Sequence, residues 1–442
     1  MTTIIDKNIN LPPGKLGLPF IGESLEWLLD PNFFQKRHAK YGNIFKTNLF
    51  LNPTVVLIGH EGNKFLFENE GIFFSDGMSL AVPTSTKKLM GSGALVMQMG
   101  KRHKENRRII YQALQSKSLD RYIPIIESQT VNYLKKWTAQ KTFKWHDELK
   151  NYSLSIATEC FLSIDIVNSD IEFSKLYTTW GKGLLSVPVA LPFTNFGKAL
   201  KCRELLLEKI GSIISSRTIE NPGNDLLGNL LLFCKERDIT LSSREIQEQL
   251  LTLLFAGHDT LSSALTSFCQ LISKNSKSKE KLYEEQKWIG DIDTLSIAKI
   301  KEMTYLDQVI KEVLRFAPPT NGPPRKVLKD CNYKGYVIPK DWNILYSIGQ
   351  TQRDETVYRC PYEFNPDNFD QQTKKPAMSF LPFGSGSREC VGKEFAILEL
   401  KILAIHLIRK YEWKVKPKQS FKKILLPAVH PRDGLIVEFW KK

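Results

Sequence analysis

From Ser242 to about Asn275 the chain reads as one long helix of a kind that needs a large protein around it. Ser242 and Glu245 stand at capping-box spacing, and from Leu250 through Leu265 apolar residues occupy nearly every helical face, the pattern of a helix buried on all sides. With 442 residues there is material for one very large core or for two to three ordinary domains. From His60 to about Gly322 the periodicity is overwhelmingly helical, broken by polar loops such as Glu220-Asn221-Pro222-Gly223-Asn224. Strand patterns are few. Ile44 to Phe50 and Thr54 to Ile58, separated by Leu51-Asn52-Pro53, predict an N-terminal hairpin, and Val327 to Val337, Trp342 to Ile348 and Leu435 to Trp440 predict short strands. No internal repeat and no linker-like shift in composition interrupts the chain. The expectation is a single domain over 1–442, mainly α with a small β region near 44–58, 326–348 and 412–440.

Composition excludes several classes. A chain 42% hydrophobic and 25% charged is globular rather than disordered, and its 26 glycines and 22 prolines form no periodic tract. With 62 basic against 47 acidic residues the balance is +15, which favours an anionic partner. Seven cysteines, at 160, 202, 234, 269, 331, 360 and 390, are an odd number, with spacings of about thirty residues or more that suit neither a disulfide framework nor a C-x-x-C zinc site. A reducing, cytoplasmic location is expected. Met1 to Lys15 carries Asp6, Lys7 and Pro12-Pro13-Gly14 with no apolar run, so neither a signal peptide nor a transmembrane anchor is expected.

The chemistry-bearing segment is Phe383-Gly384-Ser385-Gly386-Ser387-Arg388-Glu389-Cys390-Val391-Gly392, followed by an amphipathic helix pattern from Gly392 to Tyr411. It sets one cysteine at the mouth of a helix, after glycines able to take positive φ and approach a flat ligand closely. Helix N-terminal amides and Arg388 both favour the thiolate, as a metal-ligating sulfur requires. A buried structural cysteine after a glycine turn is the blander reading, and three further motifs decide against it. The ten residues fit F-x-x-G-x-R-x-C-x-G. Ala256-Gly257-His258-Asp259-Thr260, Glu312-Val313-Leu314-Arg315 and His103-x-x-x-Arg107 then match, in order, A-G-x-D-T, E-x-x-R and a variant of W-x-x-x-R.

Over nearly its full length the chain therefore resembles the cytochromes P450, with a long central helix over a buried haem. The resemblance implies haem b (iron protoporphyrin IX) with Cys390 as axial ligand, and a thiolate in that position favours O–O cleavage. It also implies a cofactor cradle of Phe383, Gly384, Arg388 and Gly392, with His103, Arg107, Arg325 and Arg388 toward the propionates. Gly257 and Thr260 are poor helix formers inside a helix, a local violation that often marks function. The Thr260 hydroxyl can back-bond to the Ala256 carbonyl and open a groove. With Asp259 it resembles the family's acid and alcohol couple for proton delivery. Glu312 and Arg315, one helical turn apart, form an ion pair in the family that locks the approach to the cysteine. The usual third member is an arginine in P-x-R-F; here Pro366-Asp367-Asn368-Phe369 puts Asn368 there, which offers only a neutral hydrogen bond.

Family topology draws the substrate wall from Phe74, Met78, Leu80, Leu95, Leu184 to Phe193, Phe255, Ala256, Gly257, Thr320 and Asn321, which is almost wholly apolar. Pro12 to Pro19 and Leu253 to His258 look most like the retinoic-acid hydroxylases and their soluble bacterial relatives, which implies a retinoid or other isoprenoid substrate. Neither a flavin domain nor an iron-sulfur motif fits in the chain, so electrons are expected from a ferredoxin or similar acidic donor, drawn to Lys101, Arg102, Lys104, Arg108 and Lys393. No nucleic-acid partner is expected. A haem-thiolate isomerase or peroxide-driven hydroxylase, which would not need Asp259 and Thr260, and a non-catalytic haem sensor, which would not need a large apolar pocket, are the competing classes.

Overall fold

The computed structural model describes residues 10–18, 21–114, 119–166, 171–184, 186–290, 294–370 and 372–442. Pro19 and Leu185, named above, lie outside them. In chain order the helices are α1 Ser24–Leu29, α2 Phe33–Tyr41, α3 His60–Glu68, α4 Thr84–Met90, α5 Gly100–Ala113, α6 Ile123–Gln140, α7 Trp145–Leu162 and α8 Ile171–Gly183. After these come α9 Asn195–Ser215, α10 Leu226–Glu236, α11 Ser243–Lys274, α12 Ser276–Ile289, α13 Ile297–Lys301, α14 Thr304–Phe316, α15 Ile348–Thr351 and α16 Lys393–Lys410. The strands are β1 Ile44–Leu49, β2 Asn52–Leu57, β3 Thr142–Lys144, β4 Arg325–Lys326, β5 Cys331–Tyr333, β6 Tyr336–Ile338, β7 Asn343–Tyr346, β8 Tyr411–Val415, β9 Lys423–Ile424, β10 His430–Pro431 and β11 Ile436–Lys441. The chain is mainly α with a small β region.

The residues fall into two compact units. The first comprises Met1–Val82, Thr320–Glu363 and Gln371–Glu389 and holds a sheet in the order β1-β2-β7-β4. Strand β2 runs antiparallel to β1 and parallel to β7, pairing Val55 with Ile344 and Leu57 with Tyr346. Its side chains alternate between two cores. Val55 and Leu57 join Ile344, Tyr346 and Phe74 on one face, while Val56 joins Phe33, Phe45 and Leu345 on the other. A strand covered on both faces reads as a continuous apolar run, which is what Val55-Val56-Leu57-Ile58 is.

Two turns differ from expectation. The hairpin turns at Phe50 and Leu51, both at positive φ, so that Asn52 and Pro53 already belong to β2. A type I′ turn, one of the two-residue turns that match strand twist, needs positive φ at both positions, and here it is secured from outside. The Phe50 ring stands edge-on to Trp27 at 5.4 Å, and its amide donates to Ser24 Oγ at 2.7 Å. Likewise Val327 to Val337 is not one strand. Lys334-Gly335, again at positive φ, folds β5 back on β6.

The second unit comprises Pro83–Pro319, Phe364–Asp370 and Cys390–Lys442. Its axis is α11, whose Ser242 cap makes both capping-box hydrogen bonds with Glu245. Burial is continuous from Leu250 to Leu254 and from Leu261 to Leu265, but Ala256 is exposed, and Phe255, Gly257 and Thr260 are partly open. Helices α7, α9, α12, α14 and α16 all pack on it. A sheet in the order β3-β11-β8 carries an aromatic cluster in which Trp145 meets Trp413 at 5.4 Å and Phe439 at 5.8 Å. Strand β3, inside the stretch expected to be helical, exists because Phe143 pairs with Val437 of β11.

At the edge of this cluster His146 of α7 lies flat on His430, ring centres 4.1 Å apart, with its Nδ1 3.0 Å from Thr266 Oγ1. Burial, with His430 and Lys150 nearby, pushes the His146 imidazole down to about 3, against a smaller opposing pull from Asp259. The folded protein thus keeps His146 neutral where the unfolded chain protonates it below its ordinary 6.5. Between about pH 6.5 and 3 the unfolded state binds the extra proton, so stability falls as pH falls. Replacing His146 by Phe, which keeps the stack, is expected to remove roughly 2 kcal/mol of the stability lost between pH 7 and 5, read by urea unfolding at the two pH values.

Candidate active site

In the first unit, the loop after Leu381 turns on Gly384 and Gly386, at φ 71° and 68°. A Cβ on Gly384 would stand 3.3 Å from the Tyr346 hydroxyl, and one on Gly386 as close to Phe67 and Glu70. Phe383 is half-buried just before this turn. Arg388 lies back across the segment before α4. Its Nε donates to the Asp76 carbonyl, its Nη2 stands 3.6 Å from the Asp76 carboxylate, and a Cβ on Gly77 would strike its guanidinium at 2.8 Å. Arg325 is placed by the pairing of β4 with β7 and is 1% exposed.

Sequence reasoning missed the partner of Arg325. Glu70 Oε1 accepts from its Nε at 2.8 Å, and the Pro323 carbonyl accepts from its Nη1 at 3.1 Å. Burial pushes the Glu70 carboxyl up, with Arg325 opposing. No spacing rule links residues so far apart in the chain. Of the proposed wall in this unit, Phe74 is fully buried against Phe65 at 5.6 Å and is a core residue. Met78 is half-buried, Leu80 exposed, and Thr320 and Asn321 half-buried, with Asn321 Oδ1 accepting from the Gly349 amide at 3.4 Å.

In the second unit Cys390 is an exposed thiol, in no disulfide, two residues before Gly392, the N-cap of α16. No side chain caps that helix. A helix start without a side-chain cap favours negative charge close to its first turn. On α5, His103 and Arg107 share a face one turn apart; His103 is buried, not on the surface, and Arg107 is half-buried. Along the open turn of α11, Thr260 Oγ1 donates to the Ala256 carbonyl at 2.8 Å, as expected. A Cβ on Gly257 would meet nothing within 4 Å. Phe255 packs edge-on to the buried Trp180 at 5.6 Å. Of the Leu184 to Phe193 stretch, Leu184 is buried while Val187, Val189, Leu191 and Phe193 are exposed.

Asp259 points away from that turn. Lys150 of α7 holds its Oδ1 at 2.7 Å, and His258 Nδ1 stands 3.7 Å from its other oxygen. Burial acts to raise the Asp259 carboxyl, but His258 and Lys150 overcome it and hold the group below the usual carboxylate range. Lys150 was not singled out from the sequence. Nothing local marks it, since its partner lies more than a hundred residues on.

Glu312 and Arg315 form the expected ion pair, both fully buried, through two hydrogen bonds of 2.7 Å. The place of the missing arginine is taken mainly by backbone. The Asn365 amide donates to Glu312 Oε1 at 2.8 Å, while Asn368 Nδ2 reaches the same oxygen only at 3.5 Å. Burial still pushes the Glu312 carboxyl up against these donors.

The family model for cytochrome P450 matches residues 12–439. This chain is a cytochrome P450. It is 38% identical to a cytochrome P450 120 of Synechocystis over 98% of this chain and 97% of that one, and 32% identical to a beta-amyrin 28-monooxygenase of Kalopanax septemlobus over 97% and 92%. Among solved structures it is similar to a retinoic acid-bound cyanobacterial CYP120A1, at a TM-score of 0.91 and 37% identity over 98% of this chain and 100% of that one. It is therefore an oxidoreductase of the monooxygenase type, of a family that carries haem iron, takes lipophilic substrates and depends on redox partners. Among the described residues no helix is long and apolar enough to cross a membrane.

The buried pair makes a sharp expectation. Glu312→Ala leaves a guanidinium buried without its carboxylate and is expected to cost about 3–5 kcal/mol. Asn368→Ala leaves Glu312 its two bonds to Arg315 and the Asn365 amide and is expected to cost clearly less than Glu312→Ala. Denaturant unfolding of the two variants side by side measures the difference.

Proposed function

We propose that this P450 hydroxylates a retinoid or closely related isoprenoid, with retinoic acid the leading candidate, using haem b and electrons from a ferredoxin-like donor. The observation that carries the substrate reading is the likeness, over essentially the whole of both chains, to a protein solved with retinoic acid bound. The beta-amyrin oxygenase among the relatives acts on another isoprenoid. Neither the isomerase nor the sensor reading has an observation in its favour. The odd number and wide spacing of the seven cysteines support a reducing compartment, which we take as the cytoplasm, and the family model's span supports one functional domain.

The donor set fits a haem. An exposed thiol at an uncapped helix mouth suits iron, and the glycine turn at 384–386 leaves room that a side chain would fill. A haem held there would supply oxygen activation, a chemistry that a thiolate donor favours. Cys390 Sγ would bind the iron, its negative charge stabilised by the amides opening α16. Arg325 and Arg388, with His103 and Arg107, would pair with the propionates. Glu70 takes Arg325 Nε and the Pro323 carbonyl takes Nη1, so Nη2 is the nitrogen that would meet an incoming anion. Thr260 Oγ1 holds the proton on the open turn of α11. Asp259 lies behind it as a carboxylate that must leave Lys150 Nζ before it can carry a proton forward.

Electron donor docking rests on the basic face of α5. Lys104 and Arg108 are exposed there, whereas Arg102 is paired with Glu245 and Lys101 with Glu105 at 3.8 Å, which reduces the patch by two charges. Reduction by an acidic donor is expected to slow as salt rises, because charges beyond about 10 Å are screened at 0.1 M ionic strength.

The ferrous carbonyl complex is expected to show the red-shifted Soret band of thiolate ligation, and Cys390→Ser to abolish it with helicity retained; an unchanged band removes Cys390 from the site. Micromolar retinoic acid is expected to shift the ferric spectrum toward high spin and to be hydroxylated on turnover. No shift with any retinoid overturns the substrate assignment. Thr260→Ala is expected to keep substrate binding but to divert reducing equivalents to peroxide, measured as product formed per cofactor oxidised.

A further inference from the structure

A buried charged clamp grips the segment between α4 and α5. Glu248 of α11 is 6% exposed and Arg203 of α9 is 4% exposed, and the two are ion-paired. Glu248 Oε2 accepts from the Gly93 amide at 2.7 Å, and the neighbouring Gln249 Oε1 accepts from the Leu95 amide at 2.8 Å. Arg203 Nε donates to the Leu89 carbonyl at 2.9 Å. The glycines are shaped to the carboxylate. A Cβ on Gly91 would overlap the Glu248 carboxyl carbon at 2.2 Å, and one on Gly93 would stand 2.8 Å from its oxygen. At the far end of the segment Gln98 Nε2 donates to the Gly93 carbonyl while its Oε1 accepts from Asn106 of α5.

The clamp reaches the open turn of the central helix through one side chain. Trp180 of α8 shares the Leu89 carbonyl with Arg203, donating from Nε1 at 3.2 Å, and its fully buried ring is the one that packs on Phe255. Phe255 precedes Ala256 and the open turn. Stability alone is a poor explanation for the pair, since a buried ion pair often does no better than apolar residues of the same size. What the pair does provide is a partner for the Leu89 carbonyl in the last turn of α4 and one for the Gly93 amide, with Gln249 adding one for Leu95, in a stretch that between α4 and α5 has only a single 3-10 turn, Leu95–Met97.

We propose that Arg203 and Glu248 are specificity-determining positioning residues. By fixing the Leu89–Gln98 segment and, through Trp180, the Phe255 wall, they hold the substrate pocket in one preformed shape that favours rigid over flexible lipophiles. A preformed pocket binds a rigid ligand without first being ordered, which is where such a preference comes from. The inference rests on the reading of the open turn of α11 as the substrate side of the haem.

The test replaces the pair by apolar residues of similar size, Arg203→Met with Glu248→Leu, in the haem-loaded enzyme. Arg244, which also touches Glu248 at 3.3 Å, keeps both oxygens of Glu204. The carbonyl Soret band is expected to stay as in wild type, and the Gly93 and Leu95 amides to exchange at least about tenfold faster. Phenylimidazole, rigid, and dodecylimidazole, flexible, both coordinate haem iron whatever the natural substrate. The ratio of their Kd values is expected to shift about tenfold toward the flexible azole, the size of effect a changed apolar pocket gives. An unshifted ratio with an intact carbonyl band overturns the proposal. A wild-type enzyme that ignores retinoic acid would overturn the substrate reading and leave this ratio as informative as before. Should the double variant lose its haem, Glu248→Gln, which keeps an acceptor but not the charge, is expected to shift the ratio in the same direction, and no shift there also overturns the proposal.

Discussion

The buried Glu312–Arg315 pair is the interaction on which the order of the second unit leans most heavily. Two charges taken out of water cost several kcal/mol each, and removing either partner exposes that cost in full. The structure meets it with two short hydrogen bonds and a backbone amide, and through that amide the pair holds the Asn365 end of a 3-10 turn, Pro366–Phe369. The same device recurs wherever irregular chain has to be held still. Arg325, paired with Glu70, ties down the Pro323 carbonyl. Arg217, paired with Asp225, ties down the carbonyls of Leu162 and Pro222. In each case the ion pair lies under a loop, and the hydrogen bonds left over go to backbone groups that helix and sheet do not satisfy.

That arrangement explains what could be read from the chain and what could not. The central helix announced itself because cap and periodicity are local, and Ser242, Glu245 and the run from Leu250 carry both within a few turns. The Cys390 loop was legible because its glycines, arginine and cysteine are contiguous. Turn positions were harder. Leu51-Asn52-Pro53 looks like a turn by composition, yet Phe50 and Leu51 make it, because Trp27 and Ser24 support a backbone conformation that neither residue prefers. Hardest of all were partners supplied by backbone or by distant chain. The Asn365 amide has no letter of its own, and Glu70 and Lys150 meet Arg325 and Asp259 across long stretches of sequence that no period spans.

Glu399 shows the limit of the pairing rule. It is 1% exposed on α16, and neither carboxyl oxygen has a hydrogen-bond partner among the described residues. Burial pushes its carboxyl well above the ordinary range. A group in that position avoids the cost of a buried charge by staying protonated. The other buried carboxylates each have a guanidinium or ammonium beside them, as Glu312 has Arg315 and Asp259 has Lys150; Glu399 has no hydrogen-bond partner for either oxygen among the described residues.

The central helix has to satisfy two opposed demands, to be covered along its length and to remain open at one turn. Consecutive residues on a helix point about 100° apart, whereas residues four apart share a face. Ala256 and Thr260 therefore face the open side together, and Asp259 faces Lys150 on α7. Acid and alcohol, adjacent in sequence, do not lie side by side in space. The Thr260 hydroxyl occupies the Ala256 carbonyl, so neither group of the supposed couple is poised toward the other in the resting fold. Any transfer between them has to break one of two short contacts, and the stronger is the ion pair at Lys150. The half-exposed lysine is thus the point at which water, salt or a neighbouring charge can reach a carboxylate that the rest of the helix keeps dry.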